Sequence, residues 1–205
     1  MEFLRTANAG VLLKIDEVSI LLDGVAKTFS PYLGTPDAIR QKLIEYCPDI
    51  VAHTHKHDDH YDKEYAEYYT RTAKRPVFLP EGEGIVDKNG VKLQRVHTRH
   101  IGKTDVPHVS YVITGSKIVW FMGDATPASL KEMEKMPHPD VLFVPFAYGL
   151  TSSAWRDTKE IGAKNIVFLH LPDPKNDEHG IWEIVKSNTR DSSVIIPDIG
   201  KTIVI

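Results

Sequence analysis

An α/β fold in four layers, two sheets facing each other with helices outside (αββα), is what the sequence predicts, and three observations lead to it. The chain opens on a hairpin of apolar strands, strands then alternate with helices, and the same grammar returns in the second half behind a second hairpin. Polar groups able to bind a metal stand where apolar runs end, the usual place for a site on such a scaffold.

In the first half, residues 11–15 and 18–23 flank the polar pair Asp16-Glu17 and read as a hairpin. Thr35-Pro36 supplies an N-cap and a proline at the first helical position, after which Ile39, Leu43 and Tyr46 recur at near-helical spacing. That helix leads into a strand over 50–54. A helix is expected at 63–73, a short strand at 76–80 and another strand at 90–98.

In the second half, strands at 109–114 and 118–122 flank Gly115-Ser116 and end in Gly123-Asp124. A helix at 127–136, a buried strand at 141–146, a helix at 152–161 and a strand at 166–169 ending in His170 follow. A helix at 177–187 and closing strands at 194–196 and 202–205 complete the pattern. No Gly-, Ser- or Pro-rich linker, low-complexity stretch or short-period repeat interrupts it, so 1–205 is expected to be one domain.

Composition bounds the function. The 205 residues are 41% hydrophobic and 26% charged, enough for a substantial core. The formal net charge of -3 supplies no global field for nucleic acid or an anionic membrane, and neither partner is expected. Cys47 is the only cysteine, which excludes an internal disulfide framework and favours a reducing compartment. The first residues lack the basic, apolar and small-residue regions of a signal peptide, so a cytoplasmic location is expected. The longest apolar runs, such as 141–147, fall far short of the roughly 20 residues that cross a bilayer.

The chemistry is concentrated in His53-Thr54-His55-Lys56-His57-Asp58-Asp59-His60, directly after Ile50-Val51-Ala52. From His55 it reads His-x-His-x-Asp-His: two histidines two apart can grip one ion while the following Asp-His pair turns toward a second. Imidazole and carboxylate in this density suit zinc, manganese or iron. The region 97–100, Asp124 and His170 end other apolar runs, and seven such groups suffice for two ions sharing one carboxylate. Two divalent ions roughly 3.5–4 Å apart would make a hydroxide nucleophile from a bridging water and polarise the substrate oxygen, so no Ser or Cys nucleophile is needed.

The chain resembles the metallo-β-lactamase superfamily. Thr54-His55-Lys56-His57-Asp58-Asp59-His60 is similar to its Thr-His-x-His-x-Asp-His signature, Phe121-Met122-Gly123-Asp124 to its strand ending in Gly-Asp, and Ile166-Val167-Phe168-Leu169-His170 to its last strand ending in His. Ile20-Leu21-Leu22-Asp23-Gly24 extends the match over nearly the whole chain. The resemblance implies that His55 and His57 bind a first metal, that Asp59, His60 and His170 bind a second, and that Asp124 bridges them; Asp59 and Asp124 would orient the nucleophile. Asp23 resembles a carboxylate that orients a ligand histidine, with a plain strand-end turn residue as the alternative.

The third histidine of the first site departs from the better-known branches. His100 is favoured, then His97, then His108, which could instead be a strand or substrate-facing residue. His138 and His179 read as surface residues, His53 as packing or support for a ligand, and Asp58 as a loop cap.

The short stretch between Asp124 and His170 leaves no room for the inserted domain of the nucleic-acid-processing branch. What remains most similar is the compact ascorbate-6-phosphate-lactonase-like group. The expected activity is hydrolysis of a small-molecule ester, lactone or phosphodiester. A diiron-type redox protein and a non-catalytic metal-binding protein on the same scaffold are the alternatives. Arg99, Lys103, Tyr148 and Trp155 are candidates for gripping an anionic or ring-bearing small molecule.

Overall fold

A computed structural model describes residues 1–82, 84–102 and 105–205. Lys103 therefore lies outside the described residues. Thirteen strands among the described residues form two sheets. The first holds β1 (Glu2–Arg5), β2 (Val11–Ile15), β3 (Val18–Leu22), β4 (Ile50–Ala52), β5 (Val77–Phe78) and β13 (Thr202–Val204), in the order β13-β1-β2-β3-β4-β5. The second holds β6 (Ile85–Lys88), β7 (Val91–His97), β8 (Val109–Thr114), β9 (Ile118–Phe121), β10 (Val141–Pro145), β11 (Asn165–Leu169) and β12 (Val194–Ile195), in the order β12-β11-β10-β9-β8-β7-β6. Hairpins make the antiparallel pairs β2/β3 and β8/β9, whereas β3/β4, β9/β10 and β10/β11 are parallel.

Period-two alternation assigns each face. Val11, Leu13 and Ile15 of β2, Val18, Ile20 and Leu22 of β3, Val119 and Phe121 of β9, and Val141 and Phe143 of β10 meet in one core between the sheets. The alternate residues Trp120, Leu142, Val144, Ile166 and Phe168 pack outward with Leu130 and Met133 of α3 (Leu130–Met133), Trp155 of α4 (Ser152–Glu160) and Val185 of α5 (Ile181–Asn188). On the other side, Leu21 and Val51 pack with Leu43 of α1 (Asp37–Tyr46) and with Tyr65 and Tyr69 of α2 (Lys63–Ala73). Strands buried on both faces read as continuous apolar runs, as Val141 to Pro145 does. The result is the expected four-layer αββα sandwich. Among the described residues no helix is long and apolar enough to cross a membrane.

Several boundaries differ from expectation for identifiable reasons. Pro36, not Thr35, precedes the first helix: the Thr35 hydroxyl accepts from the Ala26 N–H and donates to the Gly24 carbonyl, which ties down the loop instead of capping. The helix expected at 127–136 is a 3-10 turn at Pro127–Ser129 and one α-turn over α3. The last helix starts at Ile181, because both Asp177 carboxylate oxygens accept backbone N–H groups, from Ile181 and Trp182, and so cap it from outside. Strands β1 and β6 carry weak local signals: β6 is an edge strand with Ile85 facing solvent, and β1 is defined by pairing with both β2 and β13.

Candidate metal centre

The site lies where β3, β4, β9 and β11 end. After Ala52 the chain turns through His53 to His60, closed by His60 and Tyr61 N–H groups donating to the His57 carbonyl. Asp124 follows Gly123, whose φ of +56° and close approach to Thr54, 2.6 Å from a would-be Cβ, admit only glycine without displacement. His170 at the end of β11 is itself left-handed, φ +56°, and its N–H donates to the Asn8 carbonyl. The buried Arg5 guanidinium donates to that same carbonyl, which fixes the segment.

Three groups of donor atoms converge, each within 4.8 Å: His55, His57 and His100; His55, His60 and Asp124; and Asp59, His60 and His170. His55 Nε2 lies 3.0 Å from His57 Nδ1 and 3.3 Å from His100 Nε2. Asp124 stands in the middle, 3.3 Å from His60 Nε2, 3.7 Å from His100 Nε2 and 3.2 Å from His170 Nε2, which is also 3.2 Å from Asp59 Oδ2.

Several of the atoms between these residues are buried polar atoms without hydrogen-bond partners. His60 Nε2, His170 Nε2 and Asp124 Oδ1 are buried and make no bond of acceptable geometry, although they approach one another closely. Buried polar atoms are normally satisfied. Lone pairs of imidazole and carboxylate aimed at common points are the donor set of a divalent cation, so the residues present fit such an ion.

The opposite ring nitrogens of His60, His55 and His100 are held by a traceable set of bonds, whereas His170 Nδ1 is buried with no hydrogen-bond partner. Asp23, fully buried and left-handed at φ +46°, accepts from the Thr54 N–H at 2.8 Å through Oδ1, and from the Thr54 hydroxyl at 2.6 Å and His60 Nδ1 at 2.8 Å through Oδ2. With its proton committed to Asp23, Thr54 Oγ1 is the acceptor for His55 Nδ1–H at 3.0 Å. His100 Nδ1–H donates to the Ile101 carbonyl at 2.6 Å. Each arrangement directs Nε2 into the site, where it is the nitrogen that would serve an ion once any proton on it is displaced.

Electrostatics follow from the same contacts. Burial opposes a charged His170, but Asp124 and Asp59 outweigh it and lift its pKa to about 9. Burial likewise opposes charge on His60, and Asp124 with Asp23 overcomes it, so its pKa stands well above the usual value. Burial would raise Asp124, yet His170 and His60 hold it well below the usual carboxylate range. Burial, reinforced by His60, presses His55 well below the ordinary histidine value. A cation entering the site would displace protons from His60 and His170.

Sequence similarity places the fold in a family. Residues 6–169 match the model of a beta-lactamase superfamily domain, most of the chain. The chain belongs to the metallo-β-lactamase superfamily. Its metallo-β-lactamase fold is shared with a possible metal-dependent hydrolase from Veillonella parvula, at TM-score 0.75 and 16% identity over 100% of this chain and 99% of that one. It is shared also with an isothiocyanate hydrolase from Delia radicum gut bacteria (0.70, 15%, 100% and 99%) and a metallo hydrolase from the archaeon Ignicoccus hospitalis (0.65, 18%, 98% and 97%). No curated protein matches the chain.

Within this metallo-β-lactamase fold, His100 stands in the cluster, bridging to Ala125, while His97 ends β7 facing solvent. His108 is buried behind the cluster. Its Nδ1–H donates to Thr98 Oγ1 at 2.8 Å, Thr98 to Ser110 Oγ at 3.0 Å, and Ser110 to the Met122 carbonyl. This leaves His108 Nε2 to accept the Asp124 N–H at 3.0 Å. Burial holds its pKa down at about 3, which keeps that lone pair available. His53 Nδ1 bonds the His60 carbonyl. His138 and His179 are exposed.

The substrate-facing expectations need correction. A cavity of about 500 Å³ opens on the cluster, lined by Phe29, Tyr32, Lys56, Asp58, Ile101 and Phe146 besides the cluster residues. Tyr148 is fully buried, its hydroxyl donating to the Thr126 carbonyl, and Trp155 packs under α4 in the outer core. Arg99 is exposed, does not line the cavity, and has its guanidinium 3.6 Å from Glu132. The lining residues were missed because Phe29-Ser30-Pro31-Tyr32 lies between elements and carries only a turn signal.

Proposed function

We propose that this chain is a metal-dependent hydrolase acting on a small-molecule ester, lactone or phosphodiester. The observation that carries this reading is the convergence of partnerless buried Nε2 and carboxylate atoms at the floor of an open cavity. His55, His57 and His100 would hold one ion, Asp59, His60 and His170 a second, and Asp124 would serve both. Zinc suits the nitrogen-rich donors, with manganese or iron as alternatives. When bound, such ions acidify water and polarise the substrate oxygen.

The chain's own residues do the rest. Asp59 and Asp124, both bordering the cavity, orient the attacking water by accepting its hydrogens. Asp23 and Thr54 engage Nδ1 of His60 and of His55, so that Nε2 is the nitrogen that would face an ion. His108 holds the Asp124 backbone. No cysteine or serine nucleophile is required, and Cys47 is exposed on the loop after α1.

Elemental analysis of the purified chain and of Asp124→Ala tests the proposal. Near two equivalents in the native chain, with at least one lost in the variant, are expected. One or none after reloading with zinc, manganese or iron would overturn the two-ion reading. Bound iron with an oxygen-dependent spectral change would redirect it to redox chemistry.

A further inference from the structure

The wall of the cavity has a chemistry of its own. Residues 27–35 form a tied loop over the mouth: Lys27 N–H donates to the Asp58 carbonyl, Phe29 and Tyr32 exchange backbone bonds at 3.0 and 2.7 Å, and Asp173 N–H donates to the Pro31 carbonyl. This loop holds Phe29 out at 60% exposure and lays the Tyr32 ring edge-on to His170, 4.2 Å between centroids. Phe146 stands 5.8 Å from His170. An ordered aromatic ring left in water at a concave site is the mark of an apolar ligand.

Charge points the same way. Among the described residues Lys56 is the only lysine or arginine on the lining, and Glu81 engages its ammonium at 2.7 Å. The exposed Asp58 carboxylate shares the rim. Among the described lining residues, an anionic group on the substrate would meet no guanidinium fork of the kind that phosphate or carboxylate recognition uses.

Resting on the hydrolase reading, we infer that the cavity selects an uncharged substrate, an ester or lactone bearing an aromatic or aliphatic group that packs against Phe29, Tyr32 and Phe146. The water oxygen bonds to the carbonyl carbon, the bond from that carbon to the leaving oxygen breaks, and the two protons of water end on the acid and the alcohol released. Phe29 and Phe146 determine specificity; they do no chemistry.

Two esters with one leaving group decide it: 4-nitrophenyl hexanoate, and 4-nitrophenyl hydrogen adipate, which differs in ending with a carboxylate. With zinc-loaded full chain, kcat/KM should favour the neutral ester at least tenfold. Phe29→Ser and Phe146→Ser should each raise its KM about tenfold with kcat nearly unchanged, since they remove apolar contact common to ground and transition states. Benzyl alcohol, a neutral aromatic probe, should show saturation transfer by NMR to metal-stripped native chain and lose it in both variants. Equal or better use of the charged ester, or unchanged KM and probe binding in both variants, overturns the inference. Turnover of bis(4-nitrophenyl) phosphate with both esters inert overturns it while sparing the hydrolase. Probe binding with no turnover of any substrate under zinc, manganese or iron overturns the hydrolase and supports the apolar recognition.

Discussion

Asp23→Asn should disable metal binding far more than folding. The Thr54 N–H must still meet an acceptor, so the asparagine oxygen takes the place of Oδ1 and its NH2 falls where Oδ2 accepted from Thr54 Oγ1 and His60 Nδ1. Two donors would then face one another unless the partners invert. His60 moves its proton to Nε2, and Thr54 Oγ1, now an acceptor from asparagine, turns its proton toward His55 Nδ1, 3.0 Å away, which forces the same change there. Both rings thereby lose the lone pair aimed into the site. Orienting partners of ligand histidines are worth about 10–100-fold in metal affinity, so a loss of that size is expected in both groups of donors. For stability, three charge-assisted bonds become neutral ones at about 1 kcal/mol each, hence ~3 kcal/mol and a Tm lower by roughly 6–12 °C. Zinc titration against a fluorescent chelator reads the affinities, and melting of metal-stripped protein reads the stability. Long-range 15N spectra identify the tautomers of His55 and His60. Native affinity of both ions, or unchanged tautomers, would refute the relay through Thr54.

Other consequences are open to direct measurement. His108→Leu strands the buried Asp124 N–H and breaks the run through Thr98 and Ser110, which should cost about 1–3 kcal/mol in urea unfolding. Because burial keeps His108 neutral down to about pH 3, that loss should be the same at pH 5 and pH 8; a loss under ~0.5 kcal/mol, or one that varies between those pH values, contradicts the assignment. Asp62 caps α2 through the Tyr65 N–H and pairs with both Arg40 nitrogens, at 2.9 and 3.2 Å. Burial would raise its pKa, but Arg40 and the Tyr65 N–H pull it below the usual aspartate value. The folded pKa being the lower, its stabilisation is complete above ~3.9 and is lost as pH falls through the folded value. Asp62→Asn keeps the cap and should cost ~1 kcal/mol at pH 7, with the gap to the native chain narrowing as the pH is taken below the usual aspartate range; a gap that does not narrow would remove the ion pair from the account.

Much of the architecture is local information. Alternation in β2, β3, β8 and β9 writes two faces into the sequence, and a strand buried on both sides must be apolar throughout, as β10 is. The metal-binding character of 53–60 is local too, because two histidines two apart share one ion without help from the rest of the chain. What depends on distance in space is not written there. His97, His100 and His108 are equivalent as residue types. Only the pairing of β7 with β8 and the bridge of His100 to Ala125 turn His97 to solvent, bring His100 beside His55 and place His108 beneath Asp124. Tyr148 and Arg99 look like substrate residues until the outer core takes one and Glu132 the other. The aromatic wall comes from a loop whose sequence specifies turns, and its position over the cavity depends on bonds to Asp58 and Asp173, remote along the chain. Residue type and periodicity act through neighbours in sequence and so set elements and donor chemistry; which groups meet is decided by sheet register and loop anchoring, which exist only once the chain has folded.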